Sequence, residues 1–191
     1  SKCLRSLILF DMPLPSKFIP GLEVSERYFV EIVEPLIATH FPDLKYAAGL
    51  IGHGSEVLGF DIPQSMDHDW GPRVLLFLSN DDLVERKNQI EEVLHANIPE
   101  KYLDYSTSLL AEGKKFELRI EVHSVDSYFK ECVHEKNLTL DPHKELDSVD
   151  WLLFPQQELL VLTGGKVFLD DIGELTTVRK KLEYNPQDVW L

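Results

Sequence analysis

The sequence predicts an α/β fold, because two kinds of apolar periodicity alternate along the chain. Apolar residues recur at helical spacing from Gly21 to Phe41 and again from Asp81 to Asn97. Short apolar runs of strand length occupy residues 45–52 and 73–79, and a strictly alternating run occupies residues 115–124. Strands that alternate with helices are typical of a sheet packed against helices.

The length and the charge of the chain restrict its classes of function. Its 191 residues, 43% of them hydrophobic, can bury a core in one domain or in one domain with an appendage. The net charge of −14 repels phosphate backbones, so we expect no long nucleic acid and no membrane as a partner. Cys3 and Cys132 suggest no disulfide scaffold, and the apolar run at residues 7–10 is too short for a membrane span. We therefore predict a cytoplasmic protein, with the nucleus as the alternative.

The elements of the first half follow from local patterns. Residues 21–41 predict one amphipathic helix, bent at Pro35. Residues 45–52 are mostly apolar and end in glycines, which predicts a buried strand that enters a tight turn. Residues 73–79 predict a second buried strand, and residues 81–97 predict the helix that follows it.

The second half begins with one alternating strand, Lys115–Ser124, whose polar face carries Glu117, Arg119, Glu121 and His123. After it the sequence predicts a short helix, a polar connection, a helix that begins at Pro155, a short strand after the glycines and a last helix. These elements occupy residues 125–133, 137–149, 154–165, the segment "KVFLDD" and residues 172–182.

The candidate chemistry lies in residues 52–70, "GHGSEVLGFDIPQSMDHDW". Asp67 and Asp69 are two positions apart, so an extended backbone would place both carboxylates on one face, roughly 6.6 to 7 Å apart. Carboxylate oxygens are ligands that Mg²⁺ prefers, and two-metal phosphoryl-transfer sites use such acids. Upstream, Gly54 and Ser55 offer close backbone approach and a hydroxyl to a phosphate oxygen.

A simpler interpretation of these residues is local. Asp67 and Asp69 can belong to a solvated turn or cap a helix near Ser65, and Gly54–Ser55 is ordinary turn chemistry. The order of the surrounding features favours a metal site instead. A strand, a Gly-Ser turn, the aspartate pair, an apolar strand and an alternating strand with an acid follow one another.

A second alternative uses a histidine. His68 and Asp69 could form the metal dyad of an HD-type phosphohydrolase, with His40 or His53 as a further ligand. Such sites lie on helices, whereas strands surround this dyad, so the pattern favours the first interpretation.

Two basic residues are candidates for neutralising a triphosphate, Arg73 and Lys166. Arg73 directly precedes the second apolar strand, and Lys166 follows the glycines of "TGGKVFLDD". In an acidic protein the alternative for each of them is an ion pair with a neighbouring carboxylate.

The chain resembles the nucleotidyltransferase superfamily of the DNA polymerase beta type. The resemblance rests on "GHGS", "DHD" and the later "IEV", which match a signature of Gly-Ser, Asp-x-Asp or Glu, and a third acid on a neighbouring strand. Five further segments resemble a domain-of-unknown-function family of bacterial and fungal proteins assigned to that superfamily. They are "FIPGLEVSERYF", "GSEVLGFDIPQSMDHDWGPR", "DWLLFPQQELL", "TGGKVFLDDIGEL" and "NPQDVWL", and they extend over nearly the whole chain.

This resemblance implies a role for each matching residue. Gly54–Ser55 would hold the phosphates of a nucleoside triphosphate, and Asp67 and Asp69 would bind two Mg²⁺ ions. Glu121 would be the third acid, although the superfamily often has an aspartate there. Glu117, on the same face of the predicted strand, is the rival for that place.

The resemblance also implies a division of the chain. Residues 1–150 would form the nucleotidyltransferase-like core, a mixed sheet packed with helices, and residues 151–191 would begin a helical appendage. The resembling family continues past "DVWL" into further helices that often complete an acceptor pocket, so we expect the natural chain to extend beyond residue 191. A homodimer is one way to cover the apolar side chains at this end.

We therefore expect a magnesium-dependent enzyme that moves a nucleoside monophosphate, AMP from ATP, to a hydroxyl of a small molecule or a protein. Catalysis in such a site consists mostly of positioning and charge neutralisation. The alternative is a nucleotide-binding or protein-interaction module that has the fold without the chemistry. The position of the third acid distinguishes the two.

Overall fold

The computed structural model describes residues 18–62, 70–110, 116–133 and 141–183. Several sequence predictions concern residues beyond these ranges. Among them are Asp67, Asp69 and His68 in the candidate site, and the apolar residues Trp190 and Leu191 at the end of the chain.

The described helices and strands follow the predicted order, with several short strands and the short helix α5 added. The helices are α1 (Gly21–Tyr28), α2 (Glu34–His40), α3 (Asn80–Asn97), α4 (Val125–Val133), α5 (Ser148–Leu153), α6 (Gln156–Thr163) and α7 (Glu174–Glu183). The strands are β1 (Ala47–Leu50), β2 (Val74–Leu78), β3 (Lys101–Tyr102), β4 (Tyr105–Ser106), β5 (Ser108–Leu110), β6 (Phe116–Leu118), β7 (Ile120–Ser124) and β8 (Lys166–Asp170).

The first predicted helix is confirmed, with its irregularity shortly before the proline. A π-helical turn, Phe29–Val33, joins α1 to α2, and the N–H of Glu34 donates to the carbonyl of Phe29, five residues earlier. Pro35 follows directly and has no N–H for an α-helical hydrogen bond. A π-turn next to a proline is a usual way for a helix to accommodate this loss.

The central sheet has the strand order β7-β2-β1-β8. Strand β1 pairs antiparallel with both β2 and β8, whereas β2 and β7 are parallel. All five residues of β2 are buried. Its residues Val74, Leu76 and Leu78 pack in a cluster with α1, α2 and α3, and Leu75 and Phe77 pack on the other face with α4, α5, α6 and α7. Helices therefore cover both faces, as an α/β fold requires.

The prediction of one continuous strand over residues 115–124 is wrong. The chain forms two strands, β6 and β7, that belong to different sheets, and Arg119 lies between them. The N–H of Arg119 donates to the carbonyl of Thr107 beside β5, while its carbonyl accepts from the N–H of Val74 at the start of β2. Arg119 is thus the point where the chain changes its partner strand.

Residues 151–191, for which the sequence predicts a helical appendage with one short strand, also contribute to the central sheet. Strand β8 lies in this segment and pairs with β1, so the segment contributes an edge strand to the central sheet. Helices α6 and α7 flank β8 and bury Leu162, Leu175 and Val178 against the sheet. The domain boundary at residue 150 stays a prediction.

The hairpin of β3 and β4 has no counterpart among the predictions. Its turn residues Leu103 and Asp104 have φ angles of 47° and 68°. Turns that need positive φ at both central positions usually carry asparagine or glycine, and this pair lacks that signature. The paired strands β5 and β6 form a second small sheet beside it.

We predict that Gly52→Ala destabilises the protein by at least about 2 kcal/mol, measured by urea unfolding. Gly52 follows β1 with a φ of 95°, and a Cβ there would lie 2.2 Å from the hydroxyl oxygen of Tyr128. Tyr128 is buried, so the ring has little room to withdraw.

Two comparisons separate steric overlap from backbone strain. Gly59 has a φ of 76° with open space around its Cβ position, so Gly59→Ala should cost only about 1 kcal/mol. In a Tyr128→Phe background, the additional cost of Gly52→Ala should fall. Equal losses for Gly52→Ala and Gly59→Ala would show that the contact with Tyr128 is not limiting.

Candidate functional site

The strand directions bring the predicted site residues to one edge of the sheet. Because β1 is antiparallel to β2 and β2 is parallel to β7, the end of β1 and the starts of β2 and β7 meet there. Gly54 and Ser55 follow β1, Arg73 precedes β2, and Glu121 is the second residue of β7. We call this edge, with Gly52–Ser55, Arg73 and Glu121, the site edge.

Gly54 lies where the side chains of Arg73 and Glu56 crowd together. Its φ is 145°, and a Cβ there would lie 2.6 Å from both Arg73 Nη2 and Glu56 Oε2. The carbonyls of Gly54 and Ser55 accept hydrogen bonds from the N–H groups of Leu58 and Phe60, at 3.2 and 2.9 Å. A compact turn therefore follows the glycine, with Ser55 half-buried at its beginning.

Arg73 ties this turn to the start of β2. Its Nη2 donates to Glu56 Oε1 at 2.5 Å and to the carbonyl of His53 at 2.8 Å. Its backbone N–H donates to Ser25 Oγ of α1 at 3.1 Å. The ion pair with a neighbouring carboxylate, the alternative that the sequence left open, is thus present, and a phosphate role for Arg73 stays a prediction.

Glu121 lies beside Leu75 of β2 and is largely exposed, with 61% of its side chain accessible. Its Oε2 is 3.0 Å from His123 Nε2. The hydrogen bond from His123 is the main cause that lowers the pKa of Glu121, and burial opposes it as the second-largest effect. The charges of His123, Arg73 and Lys87 each lower the pKa by less. Glu121 is therefore a carboxylate at neutral pH, in the electrostatic field of Arg73.

Glu117, the rival for the third acid, is not on the same strand as Glu121. It pairs with Leu109 of β5 in the small sheet, whereas Glu121 pairs with Leu75 in the central sheet. Both acids line a groove of about 330 Å³ between α3 and β7. Only Glu121 of the two neighbours the central strand β2, so the arrangement favours Glu121 as the third acid.

The described residues on either side of residues 63–69 are held together by Asp61. Its Oδ1 accepts a hydrogen bond from Trp70 Nε1 at 3.2 Å, and its Oδ2 accepts one from the N–H of Gly21 at the start of α1. Trp70 also packs edge-on against Tyr105, with ring centroids 4.5 Å apart. The prediction that Asp67 and Asp69 share a face opposite Glu121 lies outside the described residues and stays a prediction.

Arg119 lies beside the site edge and was not among the candidate site residues predicted from the sequence. It is buried, with 7% of its surface exposed, and directly precedes β7. A Cβ added to Gly71 would lie 3.4 Å from Arg119 Nε, so the guanidinium packs close to the chain that leads into β2. The sequence signal that could have identified it is the alternation of apolar and polar residues, which puts Arg119 on the polar face with Glu121.

Lys166, the other basic candidate, begins β8 opposite Leu50 and so also lies near the end of β1. Its Nζ is 2.7 Å from Glu26 Oε2 of α1, the ion pair that the sequence left as its alternative. His53 is exposed, and its carbonyl binds Arg73. Within the described ranges, no group of three or more His, Cys, Asp and Glu side chains is placed to hold a metal ion.

None of the helices in the described part of the chain is both long enough and apolar enough to cross a membrane.

Comparison with known protein families gives a match at the C-terminal end of the sequence. A family model, Domain of unknown function (DUF4037), matches residues 151–191, about a fifth of the chain. No curated protein and no solved structure matches the chain. The match supports the resemblance to a domain-of-unknown-function family. The nucleotidyltransferase assignment and the corresponding fold stay predictions.

We predict that His123→Ala raises the pKa of Glu121 toward its ordinary value of 4.5, because the hydrogen bond from His123 is the largest cause of the lowering. Carboxyl-detected NMR titration measures this directly. Lys87→Met, which removes the weakest of these charge effects, should raise the pKa of Glu121 less.

The lowered pKa of Glu121 determines how its contribution to the stability of the fold changes with pH. The ionised Glu121 stabilises the fold above its unfolded-state pKa, and this contribution is lost as the pH falls through the lower folded-state pKa. The exposed side chain keeps the effect small. An unchanged pKa of Glu121 in His123→Ala would show that the hydrogen bond with His123 does not cause the lowered pKa.

Proposed function

We propose that the protein is a magnesium-dependent nucleotidyltransferase that moves a nucleoside monophosphate, AMP from ATP, to a hydroxyl of an acceptor. The observation that carries this proposal is the convergence at the site edge. A Gly-Ser turn, an arginine and a carboxylate lie next to or on three separate strands. In the sequence, Asp67 and Asp69 precede Arg73 by six and four residues.

In this proposal, the turn and the two arginines bind the triphosphate. Gly54 lets a phosphate approach the backbone, and the hydroxyl and N–H of Ser55 can donate to its oxygens. Arg73 and the buried Arg119 supply positive charge at this edge of an acidic protein. Arg73 can bind a phosphate only by sharing or exchanging its contact with Glu56.

Asp67, Asp69 and Glu121 are the residues that would hold two Mg²⁺ ions, which supply charge neutralisation when bound. In the reaction, the acceptor hydroxyl attacks the α-phosphorus of ATP. A new phosphorus–oxygen bond to the acceptor forms, the bond to the bridging oxygen breaks, and pyrophosphate leaves. Glu121, ionised at neutral pH, would either accept the hydroxyl proton or hold the second ion.

A second candidate function is nucleotide binding without transfer, or a protein-interaction role on the same fold. The observation in its favour is that Arg73 is bound to Glu56 and Glu121 to His123, so both side chains already have partners. In this case the site edge would recognise a nucleotide, and no acceptor would be modified.

The acceptor in our proposal is a small molecule or a protein. A long nucleic acid is disfavoured by the net charge of −14. A cytoplasmic location and a homodimer also belong to this proposal. Among the described residues of the C-terminal part, Leu160 of α6 is 53% exposed and is one surface that a second subunit can cover.

We predict that the chain binds ATP in the presence of Mg²⁺ and loses most of this affinity with EDTA, measured by isothermal titration calorimetry. Asp67→Asn and Glu121→Gln should each weaken Mg²⁺-dependent binding at least tenfold, because each removes one charged metal ligand. Asp67→Asn should retain the parent's unfolding midpoint or exceed it slightly, since a clustered like charge is removed. Glu121→Gln should lower the midpoint slightly, because the ionised Glu121 stabilises the fold.

Asp43→Asn is the matched control, because Asp43 is exposed and precedes β1, whereas the site edge follows its end. It should bind ATP as the parent does. Transfer is then tested with α-labelled ATP and a cell lysate. Label on an acceptor, lost in Glu121→Gln, supports the enzyme; Mg²⁺-dependent binding without any labelled acceptor supports the binding module. Parental ATP affinity in Asp67→Asn would contradict the proposed site.

A further inference from the structure

Two large apolar side chains are exposed beside the site edge. Phe60 has 72% of its surface accessible and Ile62 has 52%. Single apolar residues on a surface are ordinary. These two, however, flank Asp61, whose two carboxylate oxygens each accept a hydrogen bond.

Asp61, which lies between Phe60 and Ile62, faces the protein. Its carboxylate points to the protein, where it accepts hydrogen bonds from the N–H of Gly21 and from the indole of Trp70. Phe60 and Ile62, on either side of Asp61 in the sequence, are exposed, so Asp61 faces the protein while its two neighbours face solvent. The two hydrogen bonds of Asp61 hold this short segment against α1 and Trp70.

Phe60 is also anchored to the turn that begins with Gly54–Ser55. Its N–H donates to the carbonyl of Ser55 at 2.9 Å, which fixes the position of the aromatic residue relative to the proposed phosphate contact. A triphosphate that contacts this turn carries its base on a flexible ribose linker. The base therefore comes within reach of a side chain attached to the same turn.

We propose that Phe60, with Ile62 beside it, forms the platform on which the nucleobase of the donor nucleotide stacks. This inference rests on the proposed function, because it names the part of the same site that binds the base. An aromatic face accepts any base, since every base has a π-face, and it needs no charge in an acidic protein. The platform supplies affinity for nucleotides over inorganic phosphates.

The test compares ligands with and without a base. Affinities for ATP and for inorganic tripolyphosphate, both with Mg²⁺, are measured by calorimetry on the parent chain and on Phe60→Ala. We expect Phe60→Ala to weaken ATP binding on the order of tenfold and to change tripolyphosphate binding less than twofold. Phe60→Trp should restore or strengthen ATP binding, because the larger ring stacks as well or better.

Val84→Ala is the matched control, since Val84 is 87% exposed on α3, away from the turn. It should leave both affinities unchanged. Equal losses for ATP and tripolyphosphate in Phe60→Ala would overturn the platform, because Phe60 would then act only on the shape of the turn. Unchanged ATP affinity would also overturn it while leaving the proposed function intact.

Two further outcomes are distinct from these. If the parent binds neither ATP nor tripolyphosphate, the proposed function fails, and the platform fails with it. If Phe60→Ala converts a dimer into a monomer in size-exclusion chromatography and ATP affinity is unchanged, Phe60 serves self-association and the platform is overturned.

Discussion

The position of β2 between an antiparallel and a parallel neighbour is the constraint on which the site depends. All five of its residues are buried, so the strand cannot shift without exposing apolar surface on both faces. Its pairing with β1 and β7 brings the end of one strand and the starts of two others to the same edge. Residues that are 66 positions apart, Ser55 and Glu121, therefore share one edge of the sheet.

Three basic residues lie at or near the site edge of this acidic protein. The chain has a net charge of −14, yet Arg73 and Arg119 lie next to the starts of adjacent strands, and Lys166 begins the strand on the far side of β1. Arg73 and Lys166 each contact one carboxylate, Glu56 and Glu26. These carboxylates offset the charges of Arg73 and Lys166, so a small polyanionic ligand would bind here by exchanging with them.

Much of the fold was predictable because its signals are local. Helical spacing gave the helices near residues 21–40 and 80–97, and glycines marked the turn after β1. The break at Arg119 was missed because the alternation of apolar and polar residues continues unchanged through it, while the partner strand changes. The membership of β8 in the central sheet and the contact of Arg73 with Glu56 are long-range, so no local pattern could give them.

Paramagnetic NMR with Mn²⁺ in place of Mg²⁺ tests the central claim, that the strand ends form one metal–nucleotide site. With ATP present, the account predicts that Mn²⁺ first broadens the amide signals of Ser55 and Glu121 and spares that of Asp43. A second acidic cluster serves as the comparison. In it, His143 Nε2 lies 2.9 Å from Asp126 Oδ1 of α4 and 3.5 Å from Glu174 Oε1 of α7. Broadening centred on His143, or spread evenly over the acidic surface, would contradict the account.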